Sequence, residues 1–440
     1  MAYRVRLGMP KSTCRAALVA GIMGIMKKIS ISELRLGMYV TALDRPWLES
    51  PFPFQGFPVE SHEQLVTLQK TCEYLFIDEE KGAAPNTSDY GRKTSSRSSG
   101  RPVTLTMERT DLTGLGWRGR ESFRQDMRKV LASRGKLHRH VQRLLSDVRF
   151  GRSADTREAR ILALELVDVA MTNPAATLWL TNLETKHDYT VSHCLNVCIL
   201  SIVFGLHLEL SNDSIGELAL GALLHDVGKM RTPVSILDKP GLLTEDEFDI
   251  IKKHPVDGFN ILRKDKHISE KCLEIVQLHH ERISGQGYPF GLKDDEIPVH
   301  VRIVAIADVY DDITSNRVYH EGIPPHTCLN MMFHWAPRDF GEDLMQEFIR
   351  CIGIYPIGSL VELNSNALGI VMSANPASRL RPIVMLVRDA EGKPYGRRPL
   401  INLATPSARG GEPKWSIKRV VDSKEYGIDL GRIAEMEAGI

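Results

Sequence analysis

The period of the apolar positions changes along the chain, and these changes predict its structural regions. Between residues 27 and 80, Met38 to Leu43 and Tyr74 to Ile77 have the pattern of short strands, with a helix from Glu60 to Thr71 between them. This arrangement predicts a small α+β domain at the N-terminal side. Residues 81–116 are rich in Gly, Ser and charge and have no apolar period, which is typical of a flexible linker.

A basic amphipathic region follows the linker. From Ser122 to Val148 apolar residues recur at helical spacing and the opposite face is basic, so residues 117–158 are predicted to form a helical connector. We expect Ser133 to Gly135 to interrupt this helix. The basic face could bind nucleic acid or an acidic partner, but we favour a plain solvated helix face.

Residues 159–350 are predicted to form an α-helical domain. A helix begins at the capping box of Thr244 and Glu247 and is limited by Pro255. The other predicted helices are Ala159 to Met171, Thr190 to Leu206, Ile215 to Leu224, Glu270 to Glu281 and Val299 to Ile313.

The remaining residues, 351–440, are predicted to form a β-rich extension and tail. After Thr405 there is little pattern apart from a short strand near Trp415 to Val421. The other predicted strands are Ser359 to Leu363, Leu368 to Ser373 and Pro382 to Arg388. The expected fold class is therefore mainly α: a helical bundle with a small α+β domain before it and a β-rich extension after it.

Composition narrows the class of protein without identifying it. The chain has 440 residues and a net charge of +1, so charge gives no argument for binding nucleic acid or a membrane surface. Its 7 Cys include no CxxC pair, which favours reduced thiols in a cytoplasm.

Residues 1–26 form an extension that we do not expect to be structured. Basic residues before a short apolar run resemble a signal peptide, but no small-residue cleavage site is evident. An extension ahead of a start at Met26 explains the segment equally well. Elsewhere we find no run close to the roughly 20 apolar residues of a membrane span, so we expect a cytoplasmic protein without one.

The positions of His and Asp in the helical region point to chemistry. His225 and Asp226 follow the apolar run Leu218 to Leu224, and a buried charged pair needs a partner such as a divalent metal. Alone, each residue has an ordinary explanation, such as a core histidine, a histidine at a helix C-terminus or a capping aspartate. Together, imidazole and carboxylate suit Fe, Mn, Ni or Zn. The further candidates on helix faces and ends are His193, His254, His279, His280 and Asp308.

Two segments resemble the HD-GYP family, a branch of the HD-domain metal-dependent phosphohydrolases. One is His225-Asp226-x-Gly228-Lys229, and the other runs from His279-His280-Glu281 to Gly287-Tyr288-Pro289. The resemblance covers about residues 185–325. Ile29 to Asp78 resembles a domain often found before HD-GYP domains, and Gly353 to Pro356 begins a stretch similar to the subgroup's C-terminal extension. Further matches are Ile236 to Leu243, His254-Pro255, Asp308 to Asp311 and Arg317-x-Tyr319.

The resemblance implies an activity and a set of roles. The implied activity is hydrolysis of cyclic di-GMP to pGpG, with GMP as a further candidate product, in bacterial signalling, by a binuclear metal centre with a bridging hydroxide. Asp226 would bridge the two divalent ions, with Fe or Mn expected and Ni or Zn as further candidates. Lys229 and Arg317 would bind phosphate, and Tyr288-Pro289 would lie beside the substrate. The implied metal ligands are His193, His225, Asp226, His254, His279, His280 and Asp308.

Some positions depart from the family pattern. Members with three metals carry Glu where Tyr189 stands, so two metals are expected. Ser284 and Gln286 replace the usual Asp and Ser, which puts the conformation of the Gly-Tyr-Pro loop in doubt. His320 stands where members often have a basic residue that helps to hold phosphate.

Two alternatives stay open. The protein could be a weakly catalytic scaffold whose Tyr288-Pro289 loop contacts diguanylate cyclase (GGDEF) domains, as the loop does in the family. It could also hydrolyse another substrate, such as cyclic GMP-AMP or a nucleotide. The sequence does not determine the oligomeric state, and a homodimer stays open as one candidate.

Overall fold

A computed structural model describes the chain in several stretches. These are residues 26–43, 57–59, 62–72, 74–78, 120–154, 156–182, 189–239, 241, 243–315, 322–375, 378, 380–405 and 414–439. The predicted linker, residues 1–25, Arg317, Tyr319 and His320 lie outside them. The chain divides into two compact units, Met1–Asp111 and Leu112–Ile440.

The first unit is a small antiparallel sheet with one helix, which confirms the predicted α+β class, although the strands at residues 26–30 and 57–58 were not predicted. Its strands pair in the order β1-β4-β2-β3. Leu68 of the helix is fully buried with Val40, Leu75 and Ile77 of the strands, so one apolar face of each element forms the core. The elements are β1 (Met26–Ser30), β2 (Tyr39–Leu43), β3 (Phe57–Pro58), α1 (His62–Thr71) and β4 (Tyr74–Asp78).

The second unit begins with a bundle of helices. The helices are α2 (Arg120–Arg149), α3 (Thr156–Thr172), α4 (Pro174–Trp179), α5 (Tyr189–His207), α6 (Asn212–Leu224), α7 (Val234–Leu237), α8 (Glu245–Ile251), α9 (His254–Leu262), α10 (Glu270–Leu278), α11 (Val299–Thr314), α12 (Pro325–Asp339) and α13 (Glu342–Ile352). At the centre of the bundle α5 packs on α6 and α11, and α6 packs on α10. A Cβ at Gly221 of α6 would overlap Ile275 of α10, so glycine permits this close approach.

The interruption predicted at Ser133 to Gly135 is wrong, because α2 is one unbroken helix of 30 residues. Ser133 and Arg134 are buried rather than exposed. The helix packs against α3 and against the 3-10 segment Val227–Arg231. Polar residues that interrupt the apolar pattern therefore face the bundle, and tertiary packing carries the helix through Gly135.

Helix α5 is long and apolar enough to cross a membrane, whereas no such stretch was expected from the sequence. However, 83% of its apolar window is buried inside the bundle. A core helix that is apolar all round has the same composition.

A five-stranded antiparallel sheet follows the bundle, in the order β8-β7-β6-β5-β9. The strands near 360, 368, 383 and 417 were predicted, whereas β8 and the terminal helix α14 were missed. Helix α14 begins with Asp429, whose side chain accepts from the Arg432 amide, and ends at Gly439 with positive φ. The elements are β5 (Leu360–Leu363), β6 (Leu368–Ser373), β7 (Ile383–Arg388), β8 (Leu400–Asn402), β9 (Ile417–Val420) and α14 (Leu430–Ala438).

Candidate metal centre

The bundle brings all seven predicted ligands into one cluster, in which every member except the half-buried His280 is buried. They come from α5, from the residues after α6 and α10, from the start of α9 and from the middle of α11. Donor atoms in three overlapping groups lie within 4.8 Å of one another. The groups are His193 with His225 and Asp308, His225 with Asp226 and His279, and His254 with His279 and His280.

His254 occupies a different place from the one predicted. The capped helix α8 ends at Ile251, and His254 begins the next helix with Pro255 directly after it. Proline is tolerated there because the first helical N–H groups have no intrahelical partner. The helix C-terminus explanation for His254 is therefore wrong. Helix α10 also ends earlier than predicted, at Leu278, so His279 follows the helix.

Asp226 divides the cluster into two sets of donors. Its Oδ2 atom lies 3.7 Å from His193 Nε2 and 3.4 Å from His225 Nε2. Its Oδ1 atom lies 3.3 Å from His254 Nε2 and 3.9 Å from His279 Nε2. One carboxylate thus faces two groups of imidazole nitrogens through its two oxygens.

Three of the histidines are oriented by the main chain in the same way. Their Nδ1 atoms lie 2.7 to 3.0 Å from the carbonyl three residues earlier. Because a carbonyl only accepts, each Nδ1 donates and each Nε2 presents a lone pair to the cluster. The pairs are His225 with Ala222, His254 with Ile251, and His279 with Val276.

The donor atoms fit a divalent cation. His254 Nε2 and His279 Nε2 face each other at 3.1 Å, and both are acceptors in the tautomer that their Nδ1 bonds select. His225 Nε2 and Asp226 Oδ1 are buried without a hydrogen-bond partner among the described residues. Facing lone pairs and unpaired buried acceptors are costly unless a cation joins them. Imidazole and carboxylate donors suit Fe, Mn, Ni or Zn.

His193 is held differently, by a carboxylate that the sequence analysis did not identify as functional. Its Nδ1 donates to Asp311 Oδ2 at 2.7 Å, while its Nε2 lies 3.0 Å from Asp308 Oδ1. Asp311 also accepts from the Asn196 amide and the Ser315 hydroxyl. Asp308 and Asp311 are one helical turn apart on α11, so the spacing alone could have placed both on one face.

Electrostatic interactions within the cluster keep the Asp226 carboxylate ionised and shift the pKa values of the histidines in opposite directions. Burial opposes charge on Asp226, but Lys229 and His225 hold its pKa well below the usual value. Burial also opposes charge on His225, yet Asp226 and Asp308 raise its pKa to about 10, so without a metal ion a proton occupies the Nε2 position that a cation would otherwise take. Burial and neighbouring imidazoles lower the pKa of His279 well below its usual value. One half of the cluster therefore attracts positive charge, while the other offers neutral imidazole ligands.

The turn after Asp226 carries the predicted phosphate-binding lysine. Lys229 Nζ donates to Asp226 Oδ2 at 2.5 Å and is partly exposed. A Cβ at Gly228 would overlap the backbone oxygen of His254 and the nitrogen of Gly258. Glycine therefore lets this turn pack directly on α9, which brings His254 to Asp226.

The Gly-Tyr-Pro loop lies against the predicted ligand His280. The ring of Tyr288 stacks on His280 with a centroid distance of 4.6 Å. Burial raises the pKa of the Tyr288 phenol well above its usual value, so the phenol is neutral. The Ser284 hydroxyl is buried with no partner among the described residues, at the position where the family usually has Asp. Arg317 and His320 lie outside the described residues.

Comparisons with known proteins match three regions of the chain to family models. Residues 161–343 match the model of the HD domain, and residues 360–428 match a KOW domain associated with the HD domain. Residues 26–159 match a domain of unknown function, DUF3391.

Individual relatives and structures extend the comparison. A cyclic di-GMP phosphodiesterase of Pseudomonas aeruginosa is 34% identical over 374 residues, which are 84% of this chain and 87% of the relative. A 3'3'-cGAMP-specific phosphodiesterase of Vibrio cholerae is 34% identical over 40% of this chain and 39% of its own length. Among solved structures, an HDG"Y"P protein from Bdellovibrio bacteriovorus matches with a TM-score of 0.44 and 18% identity, covering 73% of this chain and 98% of that protein.

Proposed function

Because the chain belongs to the HD-GYP family of metal-dependent phosphodiesterases, we propose that it hydrolyses cyclic di-GMP to pGpG, with GMP as a further product. The relative from Pseudomonas aeruginosa that carries this activity in its name spans 84% of the chain, which supports the substrate. The proposed setting is bacterial second-messenger signalling in the cytoplasm.

The observation that carries the proposal is the division of the ligands around Asp226. His193, His225 and Asp308 form one set at its Oδ2 side, and the three remaining histidines form the other at its Oδ1 side. This arrangement supports two divalent ions that share the Asp226 carboxylate. Bound there, such ions supply Lewis-acid polarisation of phosphoryl oxygens and lower the pKa of water.

Two ions are proposed rather than three because of Tyr189. Its ring stacks on His193 with an interplanar angle of 9°, and its hydroxyl donates to Asp312 at 3.2 Å. A phenol in this position replaces the carboxylate that three-metal members use. Fe or Mn is proposed for the donor set, and Ni or Zn also suits it.

The chain's own side chains would bind and orient the substrate. Lys229, partly exposed beside Asp226, can turn from that carboxylate to a phosphate oxygen and balance the charge that develops on it. Arg317 is proposed for the second phosphate. Tyr288 and Pro289 would form the wall against which the dinucleotide rests, because the Tyr288 ring covers His280.

Product analysis tests the proposal. Purified protein is supplied with Fe(II) or Mn(II) under reducing conditions and incubated with cyclic di-GMP, beside the double variant His225→Ala/Asp226→Ala. His207→Ala is the matched control, because His207 pairs with Glu347 outside the cluster. We expect pGpG from the wild type and from the control, and none from the double variant. Equal product from all three proteins would contradict the assignment.

One observation supports a different substrate. The likeness to the 3'3'-cGAMP-specific enzyme makes cyclic GMP-AMP the second substrate to assay, and faster turnover of it would change the proposed substrate.

Another observation supports a non-catalytic role. The unpartnered Ser284 hydroxyl favours a weakly catalytic scaffold that contacts GGDEF proteins through its loop. Metal-loaded protein that cleaves neither dinucleotide would support that scaffold, and Ser284→Asp with Gln286→Ser would then be the first variants to make.

A further inference from the structure

We propose that Glu281 is a positioning residue that holds the Tyr288 loop against the metal ligand His280 and thereby sets the affinity for the dinucleotide. The inference rests on the proposed function, since it assigns the loop a role in binding that substrate. Glu281 lies between His280 and the loop in sequence, and its side chain turns away from the metal cluster toward the loop.

The carboxylate of Glu281 is buried, with a relative exposure of 2%. Its Oε1 accepts from the Phe290 amide at 2.7 Å and the Gly291 amide at 3.2 Å, and its Oε2 accepts from the Leu292 amide at 3.0 Å. Three consecutive backbone amides thus converge on one carboxylate. Bonds of this kind to an ionised acceptor are stronger than neutral ones, and they fix the main chain that follows Pro289.

The other end of the loop is fixed by the backbone beside Glu281. The Tyr288 amide donates to the His280 carbonyl at 3.2 Å. A Cβ at Gly287 would overlap the Arg282 nitrogen and the Glu281 Cα, so the loop lies directly on this backbone. The backbone of Tyr288 is therefore held on both sides, in the position from which its ring stacks on His280.

This attachment affects binding because the loop is already held in place before the substrate binds. A wall that is already in place loses no conformational entropy when the dinucleotide arrives, whereas a free loop must be ordered at that moment. The same carboxylate makes no contact with the donor atoms of the metal cluster. Loss of the Glu281 bonds should therefore weaken dinucleotide binding while the ions and the chemical step are preserved.

The test compares Glu281→Gln with Glu296→Gln in the full-length, metal-loaded protein. Glu296 is a matched control, since it also accepts from a loop amide, that of Lys293 at 2.8 Å, but is exposed. In Glu281→Gln we expect faster hydrogen exchange at Phe290 to Leu292 and a KM for cyclic di-GMP raised by roughly 10- to 100-fold, the size expected for lost hydrogen bonds to a charged group. The metal content, kcat and hydrolysis of the small ester bis(p-nitrophenyl) phosphate should stay at wild-type values, and Glu296→Gln should change none of them.

Several results would overturn the inference. They are an unchanged KM, unchanged exchange at the three amides, or a loss of metal and kcat at constant KM, which would indicate a purely structural role. If Glu281→Gln does not fold, Gly287→Ala displaces the loop by another route and must raise KM in the same way. Wild-type protein that cleaves the small ester but no cyclic di-GMP would contradict the proposed substrate, while the exchange measurement still decides whether Glu281 holds the loop.

Discussion

The carboxylate of Asp311 should control how tightly one half of the metal centre is held. Asp311 is 3% exposed and receives the Nδ1 proton of His193 at 2.7 Å. In Asp311→Asn the side chain keeps its size and loses its charge. The amide oxygen can still accept from His193, but the hydrogen bond is no longer charge-assisted and the imidazole becomes a weaker ligand.

The size of the effect follows from this one bond. A hydrogen bond to a charged group contributes about 1.5–3 kcal/mol, which corresponds to about a 10- to 150-fold change in an equilibrium constant. The loss should fall on the set containing His193, His225 and Asp308. The set of His254, His279 and His280 has no contact with Asp311, so one bound ion should be lost before the other.

Metal retention under chelator measures this difference. Wild type, Asp311→Asn and the control Asp312→Asn are loaded with Mn(II) and dialysed against increasing concentrations of chelator, and metal per chain is determined. The control changes the neighbouring carboxylate, which bonds the Tyr189 hydroxyl rather than a ligand histidine. We expect Asp311→Asn to pass through a state with one ion at chelator concentrations that leave the control with two. Simultaneous loss of both ions, or wild-type retention, would refute the reasoning.

Two further predictions concern stability. Gly228→Ala should destabilise the protein by about 1–3 kcal/mol in urea unfolding, because its Cβ would overlap the His254 backbone oxygen, whereas Gly396→Ala, whose Cβ would enter open space, should be neutral. Burial alone would raise the pKa of Glu217, but its hydrogen bonds from Arg160 lower that pKa below 4.5. Its contribution to the free energy of unfolding is therefore present above pH 4.5 and is lost as the pH falls below that value. Glu217→Gln should flatten the pH dependence of stability on the acidic side of pH 4.5, and an unchanged slope would contradict this assignment.

The helical bundle and the members of the His and Asp cluster could be predicted because they leave local signals. Helices α5, α6 and α11 follow apolar periodicity, and the ligands belong to short motifs such as His225-Asp226. Asp311 and Glu281 were within the quoted motifs but received no role. Their functions depend on partners 118 residues away for Asp311 and 9 to 11 residues away for Glu281, and one sequence does not specify such pairings.

The errors in the fold prediction have physical causes. An interruption was predicted at Ser133 and Arg134 because polar residues within an apolar stripe often mark the end of a helix. In the structure both residues are buried and α2 continues through them. Helix α14 was missed because its short length gives a weak period, although Asp429 and Gly439 are typical cap residues. Local patterns identify strong elements, and packing decides the ambiguous ones.

The main-chain anchoring of three histidines has a consequence for mutational tolerance. The Nδ1 atoms of His225, His254 and His279 bond carbonyls three residues earlier, and every amino acid supplies a carbonyl. Replacing Ala222, Ile251 or Val276 by another residue that fits the space leaves each imidazole aimed as before. The orientation of His193 instead depends on one side chain, the carboxylate of Asp311, and a substitution of that residue would remove the hydrogen bond. Under random mutagenesis, the half of the centre that contains His193 should therefore be the more fragile of the two.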